Sequence, residues 1–373
     1  MNVKKNIFII NLSLDKKGSL NTFLQAMDAI QKKEEDYNCY VFCRLEELLK
    51  YKSNNINIVL LQLNKFKRFL FESDFLCAWS KKNTIYADLV ISLQNTSFKY
   101  FQRVPQIILL QQSIPFSDVK WNLLKKSQTK MWFYKHIYPF FIRRYINKET
   151  TIIVPTKWMK NALIKRWNIS MDMVKVVYSQ FRMINQDEIV NVGLESSNFH
   201  VFYPSNSAPH KNHIMLILAF VELKKIYPLI FDKIILHLSI NINDSSEIKS
   251  LVNKYKFHNN ILFNGEMDYS KVLSFYKFSD LLTWPSFIES FGLPLLEAAS
   301  FGIPIIASDL PYAREVISGY KGVKYIDYNN PTEWAIAIAE AFSKKSKYPD
   351  YVPTYDSDWS DFIKIINQKL NPK

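Results

Sequence analysis

The sequence predicts an α/β protein of two doubly wound domains, each built on a parallel sheet. Three observations predict it. The chain has 373 residues, enough for two domains of ~100–200 residues each. Apolar residues make up 48% and charged residues 22%, the balance of a chain that buries a core, which excludes a disordered protein. Short apolar runs alternate with amphipathic stretches in two successive series, and such alternation implies βαβ units.

In the first series, residues 7–11 (IFIIN), 58–61, 89–93, 107–110 and 152–154 read as buried strands of a parallel sheet. Residues 20–33 and 119–134 show helical spacing between them. The second series begins near His200 with HVFYP and a helix over 213–226. KIILHLSI, ILFNG, DLLTW, IPIIAS and VKYID follow as strands. Polar residues separate the two series. The expected boundaries are thus 1–180 for the first domain, 181–198 for a linker and 199–345 for the second domain. Residues 346–373 form a C-terminal segment whose last helix, 362–370, closes one domain or the other.

Cys39, Cys43 and Cys77 are few and odd in number, as expected of a reduced, cytoplasmic protein. Cys39 and Cys43 lack the Cys or His neighbours of a zinc site and read as small buried hydrophobes. The apolar run near the start is too short for a signal peptide, and no run approaches the ~18 residues that span a bilayer. The charge is uneven. Residues 1–180 hold 29 Lys and Arg against 13 Asp and Glu, whereas residues 181–373 hold 19 against 21. The first half therefore calls for an anionic partner, nucleic acid or a membrane surface.

Glycine locates the chemistry. Only 7 residues are Gly, and five of them (Gly265, Gly292, Gly302, Gly319, Gly322) fall between 265 and 322. Where glycine is otherwise avoided, those that remain mark places where no side chain fits. Within that stretch, WPSFIESFGLPLLEAA starts at Trp284, where a strand ends. A loop runs to Gly292 and Pro294 opens a helix, whose first backbone N–H groups suit an anion. Glu289 lies in the loop and Glu297 in the first helical turn, so both carboxylates can face the crevice beyond the strand ends. The plainer reading leaves Glu289 solvated and gives Glu297 to the helix dipole.

The block SFIESFGLPLLEAASFGIPIIASDLPYAREVI, with FYPSNSAPHKN and ILFNGEMDYSKVLSFYKFSDLLTWPS before it and DYNNPTEWAIAIAEAF after it, resembles the retaining family 4 glycosyltransferases. The resemblance covers about residues 200–342 and points to the members that build bacterial O-antigen and capsule polysaccharides. It implies the GT-B fold, two Rossmann-like domains facing each other across a cleft. It also implies a metal-independent hexosyltransferase with no cofactor beyond its co-substrate, a nucleotide-diphosphate sugar. By that resemblance Glu289 contacts the donor sugar as the catalytic carboxylate and Glu297 holds the ribose hydroxyls. Ser290, Phe291, Gly292 and Leu293 line the sugar and phosphates, and Lys211 neutralises the diphosphate. Relatives pair that lysine with an arginine; here the loop reads SNSAPHK, leaving His210, or the hydroxyls of Ser205 and Ser207, as substitutes. Gly18 matches a glycine-bearing turn after the first strand, where a plain turn is the other reading. The loop Gln111-Gln112-Ser-Ile-Pro115 is a candidate acceptor contact. The pair Asp356 and Asp358 reads as a helix cap rather than a metal site.

Residues 120–148 hold eight Lys and Arg, eight aromatics and no acid. Trp121, Leu124, Trp132, Phe133, Phe140 and Phe141 are expected in a lipid headgroup layer, with Lys125, Lys126, Arg143 and Arg144 at its phosphates. The expected partners are thus a nucleotide-sugar donor, a lipid-linked saccharide acceptor and an anionic membrane, not nucleic acid. The expected place is the inner face of the cytoplasmic membrane. The alternative is a basic nucleic-acid- or membrane-binding protein with a non-catalytic sugar-nucleotide domain.

Overall fold

A computed structural model describes residues 4–12, 18–61, 74–101, 104–181, 186–355 and 359–371. The chain forms two compact units. Unit 1 comprises Met1–Phe116, Trp132–Gln180 and Tyr355–Lys373; unit 2 comprises Ser117–Met131 and Phe181–Thr354.

Unit 1 runs β1 (Lys5–Asn11), α1 (Gly18–Gln31), β2 (Tyr37–Cys43), β3 (Ile56–Leu60), α2 (Leu76–Asn83), β4 (Leu89–Ser92) and β5 (Gln106–Leu109). After α3 (Thr129–His136), which starts in the other unit, come α4 (Tyr138–Arg143), β6 (Thr150–Val154), α5 (Lys157–Trp167) and β7 (Val174–Val176). The strands pair in parallel in the order β3-β2-β1-β4-β5-β6-β7. Apolar strands buried on both faces need helices on both faces, which is the doubly wound arrangement. On one face Phe8 packs edge-on against Phe42 and Trp79, at 5.2 and 5.4 Å between ring centroids. Cys39 and Cys43 are fully buried in β2.

Unit 2 runs β8 (Phe199–Tyr203), α6 (His213–Ile226), α7 (Pro228–Phe231), β9 (Ile234–Leu238), α8 (Ser246–Tyr255) and β10 (Ile261–Phe263). It continues with α9 (Tyr269–Phe278), β11 (Leu281–Trp284), α10 (Leu293–Ala299), β12 (Ile305–Ser308), α11 (Pro311–Val316), β13 (Val323–Ile326) and α12 (Pro331–Lys344). Its parallel sheet has the order β10-β9-β8-β11-β12-β13. Strand order therefore reverses between β8 and β11, where Val201 faces Leu281 across the ladder. In sheets of this kind ligands bind at the carboxyl ends of the strands flanking such a reversal. Side-chain caps fix the helix starts: Asp268 accepts from Lys271 N at 2.8 Å and Asn330 from Glu333 N at 3.2 Å. Gly302 is required after α10. Its φ is +65°, and a Cβ there would lie 2.0 Å from the Tyr348 carbonyl oxygen.

The chain then returns to unit 1, where α13 (Ser360–Leu370) buries Phe362, Ile365 and Ile366 among Ile7, Phe23 and Ile30. The closing helix thus belongs to the first unit. The Asp356–Asp358 pair lies outside the described residues.

The structure departs from the sequence reading in three places. β2 and β7 were not expected: β2 mixes Asn and Cys into its apolar run, and β7 is three residues long. The helix expected over 119–134 forms only from Thr129. Polar side chains ahead of it take the backbone bonds instead, with Gln128 accepting from Asn122 N and Asn122 from Leu124 N, both at 2.9 Å. Consequently Ser117–Met131 departs from the 1–180 domain and groups with the second unit. Part of the 181–198 linker also packs there, Val190 N donating to Ser274 Oγ at 2.9 Å.

Three histidines of unit 2 are held neutral, chiefly by burial. His210 and His237 are depressed to about 4 and His213 to about 3. An unfolded chain protonates them near 6.5, so between pH 6.5 and 4 the unfolded state binds more protons. Stability therefore falls as pH drops through that window, by up to about 1.4 kcal/mol per histidine per pH unit. Denaturant titration of wild type and His237→Gln from pH 7.5 to 5 checks this. The variant is expected to show the shallower loss, and parallel curves would refute it.

Candidate functional site

The two loops that leave the switch point carry the site. The chain leaves β8 at Tyr203 and reaches Lys211 eight residues later. It leaves β11 at Trp284 and reaches Glu289 five residues later. Because β8 and β11 are neighbours, both loops start side by side. They bring Lys211 Nζ within 2.6 Å of Glu289 Oε1, with each side chain only 13% exposed.

The loops are fixed to each other by backbone chemistry. Phe287 N donates to the His210 carbonyl at 2.8 Å. Asn212, in the left-handed region at φ +61°, sends its side-chain amide to the carbonyls of Pro285 (3.2 Å) and Tyr328 (3.0 Å). Beneath them lies a buried aromatic floor. Tyr203 donates its hydroxyl to the Lys211 carbonyl. Trp284 stands edge-on to Tyr203, with ring centroids 5.4 Å apart. The Lys211 ammonium sits 5.1 Å from the Trp284 ring centroid, a cation–π contact. Tyr312 holds the Ser286 carbonyl at 2.9 Å, and its ring packs beside Gly292.

Gly292 has φ +102°, a conformation that side-chain-bearing residues rarely adopt, and it leads into α10 with Pro294 in the first turn. Phe291 is buried and Ser290 partly so, while Leu293 is the first residue of α10. Glu297 falls in the second turn of α10, not the first as the sequence suggested, because the helix starts at Leu293. Its half-buried carboxylate accepts from the hydroxyls of Tyr269 at 3.1 Å and Tyr276 at 3.0 Å. Burial raises the Glu297 pKa, and the two donated bonds draw it back. Burial beside that carboxylate pushes the Tyr276 hydroxyl well up, which keeps it a donor.

The structure therefore gathers Lys211, Glu289, Glu297 and the 290–293 turn in unit 2. His210 is adjacent, yet it is no substitute for an arginine. Burial, then the Lys211 charge, lowers its pKa to about 4, so it brings no positive charge at neutral pH. Ser205 is buried and its hydroxyl donates to the Asn206 carbonyl at 3.2 Å. Gly18 opens α1 in unit 1, and the turn before it, residues 13–17, lies outside the described residues. Gln111 spends its side-chain amide on Thr22 Oγ1 at 2.7 Å, tying the loop after β5 to α1.

The sequence reading missed Tyr269 and Tyr276. The signal was present, since residues seven apart lie on one helix face. It also missed Asn212, whose left-handed turn has no unique sequence mark. Of the expected headgroup residues, Trp121 is excluded, because it is buried with its ring 6.1 Å from that of Phe287. Lys125 is engaged by Glu247 at 2.8 Å. Arg144 lies over the Tyr145 ring at 4.7 Å. Leu124 (93%), Phe133 (42%) and Phe140 (63%) are exposed. Among the described residues, no helix is long and apolar enough to cross a membrane.

Comparison with known proteins places this geometry. Residues 185–354 match the family described as glycosyl transferases group 1. The chain is similar to the O-antigen chain mannosyltransferase RfbU of Salmonella typhimurium, at 23% identity over 60% of this chain and 61% of that protein. An alignment thus spans about three-fifths of that curated relative. Among solved structures it is similar to WaaG, a glycosyltransferase involved in lipopolysaccharide biosynthesis, with a TM-score of 0.67 and 12% identity, covering 99% of this chain and 100% of WaaG. It is also similar to Anabaena HepE in complex with UDP and glucose, with a TM-score of 0.62 and 16% identity, covering 97% and 95%. These likenesses establish the GT-B fold. The residues that match the glycosyl transferases group 1 family, 185–354, contain Lys211, Glu289 and Glu297.

Proposed function

We propose that the protein transfers a hexosyl group, with retention of configuration, from a nucleotide-diphosphate sugar to a lipid-linked saccharide acceptor during surface polysaccharide synthesis. The observation that carries this reading is the Lys211–Glu289 pair at 2.6 Å, set at the switch point beside the Gly292 turn. In glycosyl transfer the bond from the anomeric carbon to the diphosphate oxygen breaks, and the leaving diphosphate gains negative charge. Lys211 and the backbone amides around Gly292 and Leu293 would stabilise that charge in a largely enclosed setting, where such interactions are strongest. Glu289, already beside Lys211, would face the sugar. Glu297 keeps unused acceptor capacity for the ribose hydroxyls after taking two tyrosine bonds. The UDP and glucose of the HepE complex and the mannosyl transfer in RfbU's name support a nucleotide-hexose donor. The nucleic-acid alternative leaves this site without a role.

The acceptor reading rests on the basic, aromatic part of unit 1. Phe133 on α3, Phe140 on α4 and Ile137 between the two helices are exposed, in a segment rich in Lys and Arg. Apolar side chains beside basic ones suit an anionic bilayer at the cytoplasmic face.

Replacing Glu297 with Ala is expected to weaken donor binding by roughly 1.5–3 kcal/mol, the scale of a hydrogen bond to a charged group. Glu289→Gln should lower turnover while largely sparing donor affinity. Calorimetry with UDP- and GDP-sugars, beside transfer assays, separates the two effects. Wild-type behaviour in both variants would overturn the assignment.

Transfer should persist in EDTA, since Lys211 meets the diphosphate. Activity abolished by chelator and restored by Mg²⁺ or Mn²⁺ would contradict this. For membrane docking, each inserted Phe contributes about 1.5–3 kcal/mol. Phe133→Ser with Phe140→Ser should therefore release the protein from anionic vesicles in co-sedimentation, with donor affinity unchanged. Equal sedimentation of the two proteins would remove the membrane from the reading.

A further inference from the structure

The Glu297 carboxylate is held by one helix. Tyr269 and Tyr276 lie two turns apart on one face of α9, and donate their hydroxyls to Oε1 at 3.1 Å and Oε2 at 3.0 Å respectively. Each oxygen thus receives one tyrosine, and the carboxylate cannot turn without losing a bond. The helix itself is fixed. Asp268 caps its first turn at Lys271 N, Val190 N donates to Ser274 Oγ at 2.9 Å, and Ser270 donates its hydroxyl to the Glu188 carbonyl. The Tyr276 ring is fully buried and packs against Phe202 of β8 and Phe301 beyond α10, at 5.6 and 6.1 Å between centroids. Tyr269 is 40% exposed. The carboxylate is therefore gripped from the core by Tyr276 and from the surface by Tyr269.

Burial raises the Glu297 pKa, and the two donated bonds, which favour the ionised form, lower it. The hydroxyls thus keep Glu297 an anion as well as fixing its plane. A carboxylate has about four acceptor positions, two on each oxygen. With one taken on each, those left sit side by side on the two oxygens, and Glu297 is only half-buried, so a ligand can reach them. The group that matches two neighbouring acceptors is a vicinal diol, which in a nucleotide is the 2′,3′-diol of ribose. A 2′-deoxyribose would leave a charged acceptor unanswered, the kind of loss by which sites discriminate strongly. A carboxyl free to turn or to take a proton would discriminate less.

We infer that Tyr269 and Tyr276 are positioning residues that act through Glu297 to make the donor site select ribonucleotides over 2′-deoxyribonucleotides. The selectivity rests on the donor reading of Glu297; the grip on the carboxylate does not.

The test is calorimetric titration of the full chain with UDP, GDP and their 2′-deoxy counterparts, which carry the same phosphates. Wild type should prefer the ribonucleotide about tenfold or more. Tyr276→Phe and Tyr269→Phe remove one hydroxyl and keep the ring. Each should cut that preference about threefold or more, with affinity for the deoxynucleotide held within about twofold. A general disturbance would weaken both ligands alike. In the Glu297→Ala background the same changes should leave the preference unaltered, because the residue they act through is gone. An unchanged preference in the tyrosine variants, or an equal cut in the Glu297→Ala background, overturns the inference. In parallel, the Glu297 carboxyl is titrated by ¹³C NMR without ligand. Its midpoint should rise in both tyrosine variants, and an unmoved midpoint overturns the grip. Wild type that binds ribo- and deoxynucleotides equally overturns the selectivity. Failure of every nucleotide to bind would defeat the donor reading with it, and the ¹³C titration would still decide the positioning.

Discussion

The ion pair between Lys211 and Glu289 is the constraint on which the second unit is organised. Two opposite charges drawn out of water cost more in desolvation than a loose pairing returns, so such a pair persists only in close geometry with support around it. The support here is specific. Neighbouring parallel strands start the two loops side by side, and the Phe287–His210 backbone bond holds them together. The Asn212 amide then binds a carbonyl of the Glu289 loop and one of the loop after β13. The Trp284 ring under the ammonium supplies the electrostatic face that water would otherwise provide. The pair is weak evidence for stability and better evidence for a site held ready before its ligand arrives.

Glu297 solves the same problem differently. No cation meets it. Instead two tyrosine hydroxyls on one face of α9 carry its charge, and one of them, Tyr276, is fully buried. Burial raises the carboxyl pKa while the donated bonds lower it, so the group stays a strong acceptor without a permanent counter-ion. An anion met by a lysine suits contact with developing charge. An anion met by neutral donors suits a ligand that brings hydroxyls. The two carboxylates thus differ in chemistry because of what packs against them, not because of where they fall in the motif.

Much of this was legible in the sequence, for physical reasons that differ by element. Strands such as FHVFY and IPIIAS stand out because strands buried on both faces must be continuously apolar. The 213–226 helix matches His213–Ile226 because its long apolar run ends at Tyr227-Pro228, where the helix cannot continue. Gly292 was legible because few glycines occur elsewhere. β2 was hidden by Asn38 and its cysteines, which no periodicity rule credits. The Glu297 turn was misplaced because helix ends are uncertain by a residue or two. The Ser117–Met131 segment was illegible in principle. Its apolar spacing suits a helix, while Asn122, Gln128 and Thr129 bind its backbone, and its attachment depends on Lys125 meeting Glu247, 122 positions away.

That attachment changes the meaning of the charge asymmetry. Read along the chain, all the excess positive charge lies before residue 181, and the second half has none. Read by folded unit, Ser117–Met131 carries four lysines and one aspartate into the second unit. Residues 181–354 alone hold 16 Lys and Arg against 18 Asp and Glu; with the segment the unit holds 20 against 19. Net charge near zero says little by itself, because at physiological salt exposed charges act only over about 8 Å. Position decides. Three of those lysines line one cavity together with Asp244 and Glu247, and Lys125 is paired with Glu247. The basic first half is therefore not one electrostatic body but two: part of it stays with unit 1, and part joins the second unit through Ser117–Met131.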